Sequence, residues 1–125
     1  HTLAPSPKAQ SVLTPVPLIR LAYGRSGDKG DKANIGIIAR QSEYLPYIWT
    51  ALTPEVVASC FSRFLDGPVE RFLLPGIHAI NFVLHDVLGG GGMASLRNDA
   101  QGKGYAQILL AQPIDLPASL AEQIP

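Results

Sequence analysis

Residues 25–34 (RSGDKGDKAN) set five charged side chains and two glycines between two apolar stretches, residues 18–23 and 35–39. Charge at that density cannot be packed into an interior. The flanking stretches read as strands, so the polar segment is expected to connect or end neighbouring strands and to present Arg25, Asp28, Lys29, Asp31 and Lys32 at one sheet edge. A second stretch repeats the composition without repeating the sequence: glycines at 89–92 are followed by Ser95, Arg97, Asp99, Gln101 and Lys103. Four consecutive glycines cost more folding entropy than a helix stop requires, which points to close approach of a ligand or of a partner's backbone.

Bulk properties narrow the function classes. The 125 residues fit one domain with an ordinary hydrophobic core. Ten basic and ten acidic residues cancel, so no global field draws nucleic acid or an anionic membrane, and neither is expected as a partner. An anion would have to be held by a local cluster. The single cysteine, Cys60, excludes an intrachain disulfide framework and a multi-cysteine zinc site, in keeping with a reducing, cytoplasmic setting. No apolar run approaches the roughly 20 residues that span a bilayer.

Residues 1–17 carry Pro5, Pro7, Pro15 and Pro17, a density that favours extended backbone over helix or internal strand, and they read as a linker or arm. Residues 18–117 read as the folded domain and 118–125 as a tail. Within the domain, Ile19, Leu21 and Tyr23 share one face of a first strand, and residues 35–39 suit a buried second strand. Residues 44–52 are aromatic and interrupted by Pro46, so they read as irregular or as a short helical turn. Thr53-Pro54-Glu55 is a helix start: a capping hydroxyl, a proline where no N–H is needed, and an acid at the positive dipole end. Val57, Cys60, Phe61, Phe64 and Leu65 continue at helical spacing until Gly67-Pro68. A third strand is expected over residues 69–74, a second helix over 77–88 with Ile77, Ile80, Leu84, Val87 and Leu88 as its stripe, and a last strand over 105–111. The order ββαβαβ predicts an α+β two-layer sandwich, ferredoxin-like, with two helices on one face of a four-stranded sheet.

Glycine-rich backbone can converge N–H groups on an anion while Lys or Arg supplies full charge. Gly27, Gly30, Lys29 and Arg25 have that chemistry, but neither the Walker spacing nor Gly-x-Gly-x-x-Gly is present. The plain alternative is an exposed hairpin loop whose charges pair among themselves. On the expected second helix His78, Asn81 and His85 would share a face, with the histidines roughly 10 Å apart along the axis, too far to share a metal. No metal site is expected. Cys60 reads as core, Ser26 and Ser95 have no base beside them in sequence, and Asp28 and Asp31 could act as acid or base if desolvated, with Asp28 the better candidate, or else are ionised surface carboxylates beside Lys29 and Lys32.

Three segments in order, residues 25–36 (RSGDKGDKANIG), 74–84 (LPGIHAINFVL) and 88–103 (LGGGG, then SLR and QGK), resemble the small C-terminal domain of the AtuA-type acyclic terpene utilisation proteins. The resemblance spans about residues 18–117. It implies a ferredoxin-like fold and a larger domain, as an N-terminal part of the same polypeptide or a separate subunit, to which residues 1–17 would be the linker. It also implies a context, the catabolism of citronellol- and geraniol-type compounds through acyl-coenzyme A thioesters. The resemblance implies no catalytic residues for this chain.

Two expectations follow. In the first, the chain is a non-autonomous domain of an acyl-coenzyme A processing enzyme, and Arg25, Ser26, Asp28, Lys29, Asn34, Gly90, Gly91, Ser95, Arg97 and Lys103 line an anionic ligand site shared with the large domain. Coenzyme A then enters as part of the substrate, with no resident cofactor. In the second, the polar loops and the sheet form a subunit interface and the chain is an oligomerisation module.

Overall fold

The computed structural model describes residues 12–29, 32–63, 65–87 and 104–125, with the side chains of Asp28 and Lys29 left out. Strand β1, Leu13–Pro17, leads through a 3-10 turn at Leu18–Arg20 into β2, Ala22–Lys29, and β3, Lys32–Ala39. A 3-10 turn at Ser42–Tyr44 opens into helix α1, Leu45–Ala51, and α2, Pro54–Cys60, follows. Strand β4, Val69–Leu74, passes through a third 3-10 turn, Pro75–Ile77, into β5, Ala79–Leu84. Helix α3, Gly104–Leu110, strand β6, Pro113–Pro117, and the single-turn helix α4, Ala118–Ala121, complete the described chain.

The fold is α+β, with two sheets where one was expected. An antiparallel four-stranded sheet runs β2-β3-β5-β4, and β1 pairs with β6 in a separate two-stranded ribbon. Helix α3 lies against β2 and β3, and α2 against β4, so two helices do cover one face of the larger sheet. Under them sit Leu21, Ile35, Ile37, Phe61, Ile80, Phe82, Leu84, Tyr105 and Leu109, all fully or nearly fully buried. Helix α2 starts as Thr53-Pro54-Glu55 predicts: the Thr53 hydroxyl accepts from the Val56 N–H at 3.2 Å.

Several expected elements are corrected. Residues 13–17, placed in a proline arm, form β1; its one described partner is β6, and an edge strand tolerates Pro15 and Pro17 because no second neighbour needs their missing N–H. The first strand starts at Ala22, after the 3-10 turn, not at Leu18. The tail at 118–125 holds α4, and the Pro125 carbonyl accepts from Arg20 Nη2 at 2.7 Å. Residues 79–84, expected within a helix, are strand β5, hydrogen-bonded on both sides by β3 and β4. Strand β5, central in its sheet, is apolar save for Asn81, and Ile80 and Leu84 fit either period. Conversely, where a strand was expected over residues 105–111, Gly104–Leu110 is helix α3: Tyr105, Ala106, Leu109 and Leu110 are buried at helical spacing while Gln107 is exposed.

Arg71 ties β4 to the α1–α2 corner. Its Nη1 donates to the carbonyls of Trp49 at 2.6 Å and Leu52 at 3.0 Å, and its guanidinium lies 3.5 Å from the centre of the Trp49 ring. Carbonyls at the end of α1 thereby gain a charged donor. Partial burial lowers the Arg71 pKa, and the Glu55 carboxylate opposes that shift. Among the described residues no helix is long and apolar enough to cross a membrane.

Candidate functional site

Strand register decides which polar residues meet. In β2 and β3 the pairs Arg25↔Gly36 and Gly27↔Asn34 alternate with Gly24↔Ile37 and Ser26↔Ile35. Ile35 and Ile37 are fully buried beneath the helices, so Gly24 and Ser26 share the covered side. Arg25, Gly27, Asn34 and Gly36 therefore lie on the opposite face. Continuing across β5 and β4, this outer face is ordered in three rows: Tyr23, Ile38, Ala79, Leu74; then Arg25, Gly36, Asn81, Phe72; then Gly27, Asn34, Val83, Glu70.

Two of the expected ligand residues thus come together. Arg25 and Asn34 are both exposed, and Asn34 leans over Gly27, where an added Cβ would stand 3.1 Å from Asn34 Oδ1. Ser26 does not join them: it is half-buried on the helix side, and the reason is parity, since neighbours in a strand face opposite ways. Asp28 and Lys29 are strand residues paired with Ala33 and Lys32, so the polar loop is shorter than the sequence suggests and only residues 30 and 31 separate the strands. The expected roles of the Asp28 and Lys29 side chains, and of Gly90, Gly91, Ser95, Arg97 and Lys103, lie outside the described residues, as does the convergence of the two glycine-rich segments.

Asn81 and Gly36 were not nominated. Asn81 is half-buried beside Gly36, and a Cβ at Gly36 would meet nothing within 4 Å. A glycine inside an otherwise apolar strand was the available signal. Arg25, Asn34 and Asn81 thus border a bare position on the sheet, an arrangement able to donate several hydrogen bonds to a carboxylate or an amide carbonyl. The face around them is open: Tyr23 is 56% exposed, Phe72 46%, Leu74 44% and Ile38 36%. Arg40 stacks on the Tyr23 ring at 4.0 Å from its centre.

The histidines leave the expected helix face. His78 caps the third 3-10 turn in the left-handed region at φ 53°, and His85 Nε2 contacts Glu70 Oε1 at 2.5 Å beyond the end of β5. Among the described residues no three His, Cys, Asp or Glu side chains gather as a metal site. Cys60 is half-buried, and burial pushes its thiol pKa up, away from the thiolate that nucleophilic work requires.

The outer face is the only side of the larger sheet on which chemistry and exposed apolar area coincide among the described residues. Comparison with curated proteins and with solved structures finds no match. The sequence model of the AtuA ferredoxin-like domain matches residues 16–115, most of the chain and both of its sheets save the outer ends of the ribbon. The chain belongs to the AtuA ferredoxin-like domain family.

Proposed function

We propose that this chain is an accessory domain of an AtuA-like protein of acyclic terpene catabolism and that it works by association, its open sheet face meeting a second protein surface in the same assembly. The observation that carries this reading is the exposure of Tyr23, Ile38, Phe72 and Leu74 on the face opposite α2 and α3. Water at this face hydrates four large apolar side chains among its polar ones, and a second protein surface removes that cost. A flat, exposed face buries little of a small molecule, whereas it suits a protein partner.

The experiment is association of the purified chain with itself and with an AtuA-type large chain, comparing wild type and an Ile38→Glu/Phe72→Glu double variant by sedimentation. Association lost in a variant that still folds supports the reading; equal association by both chains, or none by either, overturns it.

A second reading is favoured by Arg25, Asn34 and Asn81 around Gly36: the face contributes donors to an acyl-coenzyme A or other anionic ligand site completed by the large domain. Calorimetric titration of the two chains together with coenzyme A and a branched acyl-coenzyme A tests it. Binding weakened at least about tenfold by Arg25→Ala supports a charge-assisted contact, and an unchanged affinity removes Arg25 from the site.

A further inference from the structure

We infer that the occupant of the open sheet face is a second copy of this chain, related by a two-fold axis running along the strands; the inference rests on the association reading above. In the order β2-β3-β5-β4 the middle of the sheet lies between β3 and β5. A two-fold axis parallel to the strands at that position lays β2 on the partner's β4 and β3 on the partner's β5, and each row falls on its own counterpart. Twist spreads the strand directions of two such sheets by about 30° without changing which rows meet.

The central pair this creates is complementary in size. Bare Gly36 faces the partner's half-buried Asn81, while Gly27, over which its own Asn34 leans, faces the partner's Glu70, and Ile38 covers the partner's buried Ala79. At the sheet edges Tyr23 meets the partner's Leu74 and Arg25 meets the partner's Phe72. They are complementary in charge as well. Among the strand residues of these three rows Arg25 is the only cation and Glu70 the only anion, on opposite edge strands one row apart, while the Arg40 guanidinium sits on the Tyr23 ring in the row farthest from Glu70. The axis therefore brings Arg25 within side-chain reach of the partner's Glu70, twice per dimer. Glu70 is half exposed and its Oε1 is held by His85, which leaves Oε2 for the incoming guanidinium. The other in-plane two-fold axis, across the strands, would set Arg25 on the partner's Arg25 and Glu70 on the partner's Leu74, one contact repulsive and one burying a carboxylate against carbon.

Size limits the affinity. Four strands by six residues make a patch of about 400 Å², roughly half the 800 Å² per partner of a standard stable interface. The dimer is consequently weak and dissociates on dilution.

Sedimentation equilibrium of the chain from about 10 μM to about 1 mM covers the range in which such an interface dissociates. The expected result is a concentration-dependent dimer weakened at least about tenfold by Arg25→Glu or by Glu70→Arg. An equimolar mixture of the two variants should then recover the dimer, because each charge-reversed chain supplies what the other lacks at both contacts. Both substitutions are at exposed positions, and circular dichroism checks that each variant folds. A dimer insensitive to both substitutions, no recovery on mixing, or a monomer throughout would overturn the inference. Such a result leaves the association reading standing if the wild-type chain, but not Ile38→Glu/Phe72→Glu, binds an AtuA-type large chain, and removes both if neither does.

Discussion

The two faces of the four-stranded sheet are made by the same strands, yet only one is closed, and the other mixes apolar side chains with Arg25, Asn34, Asn81 and Glu70. Beneath α2 and α3, Ile35, Ile37, Ile80, Phe82 and Leu84 are completely buried, while on the far side Tyr23, Ile38, Phe72 and Leu74 remain between about a third and just over a half exposed. Two glycines make the contrast local. At Gly24 an added Cβ would lie 3.1 Å from Ala106 Cβ and from Leu110 Cδ1, whereas at Gly36, on the next strand and the other face, it would meet nothing within 4 Å. One glycine lets a helix approach; the other leaves a gap on a surface. A residue type therefore carries no fixed meaning in this sheet, and its face decides what it does.

Substitutions should separate the faces by magnitude. Phe82→Ala on the closed face is expected to cost about 3–5 kcal/mol by chemical denaturation, and a loss below about 1 kcal/mol would mean that the core repacks around the cavity. Gly24→Val should cost about 1–3 kcal/mol by forcing α3 outward, a loss visible as a lower midpoint in urea. Gly36→Val is expected to act in the opposite direction, raising stability by about 0.5–1 kcal/mol because a β-branched residue replaces glycine in open space. The same change should weaken self-association by filling the gap opposite the partner's Asn81. Smallest of all, Phe72→Ser should alter monomer stability by less than about 0.5 kcal/mol while abolishing the dimer, and a large loss of monomer stability would show that the outer face belongs to the core.

The elements of the closed face were unevenly legible in the sequence. Strands β3 and β4 and the start of α2 were legible because a continuous apolar run marks β3, Gly67-Pro68 and Pro75-Gly76 bracket β4, and Thr53-Pro54-Glu55 caps α2. Strand β5 was not, because it is apolar on both faces and Ile80 and Leu84 satisfy a helical stripe as well as an alternating one. Losing β5 also hid Asn81, which reads as a helix residue until the strand is recognised. For α3 the error ran the other way: the run from Tyr105 to Leu110 is so apolar that Gln107 alone marks the exposed side. At the candidate site, Arg25 and Asn34 were found from their polarity, but that they share a face and Ser26 does not depends on register, which no local pattern of charges contains. For the apolar half of the outer face the sequence pattern says no more than strand.

The ribbon of β1 and β6 differs from the hairpin of β2 and β3 in the time it needs. The hairpin closes across residues 30 and 31, whereas the pair Leu13↔Pro117 closes a loop of more than a hundred residues. That closure costs about 4 kcal/mol of chain entropy, recovered only when Val16, Ile114 and Leu116 reach the shared core. The ribbon thus fastens the first described strand to the last, and tension on either end of the domain would bear on its pairing.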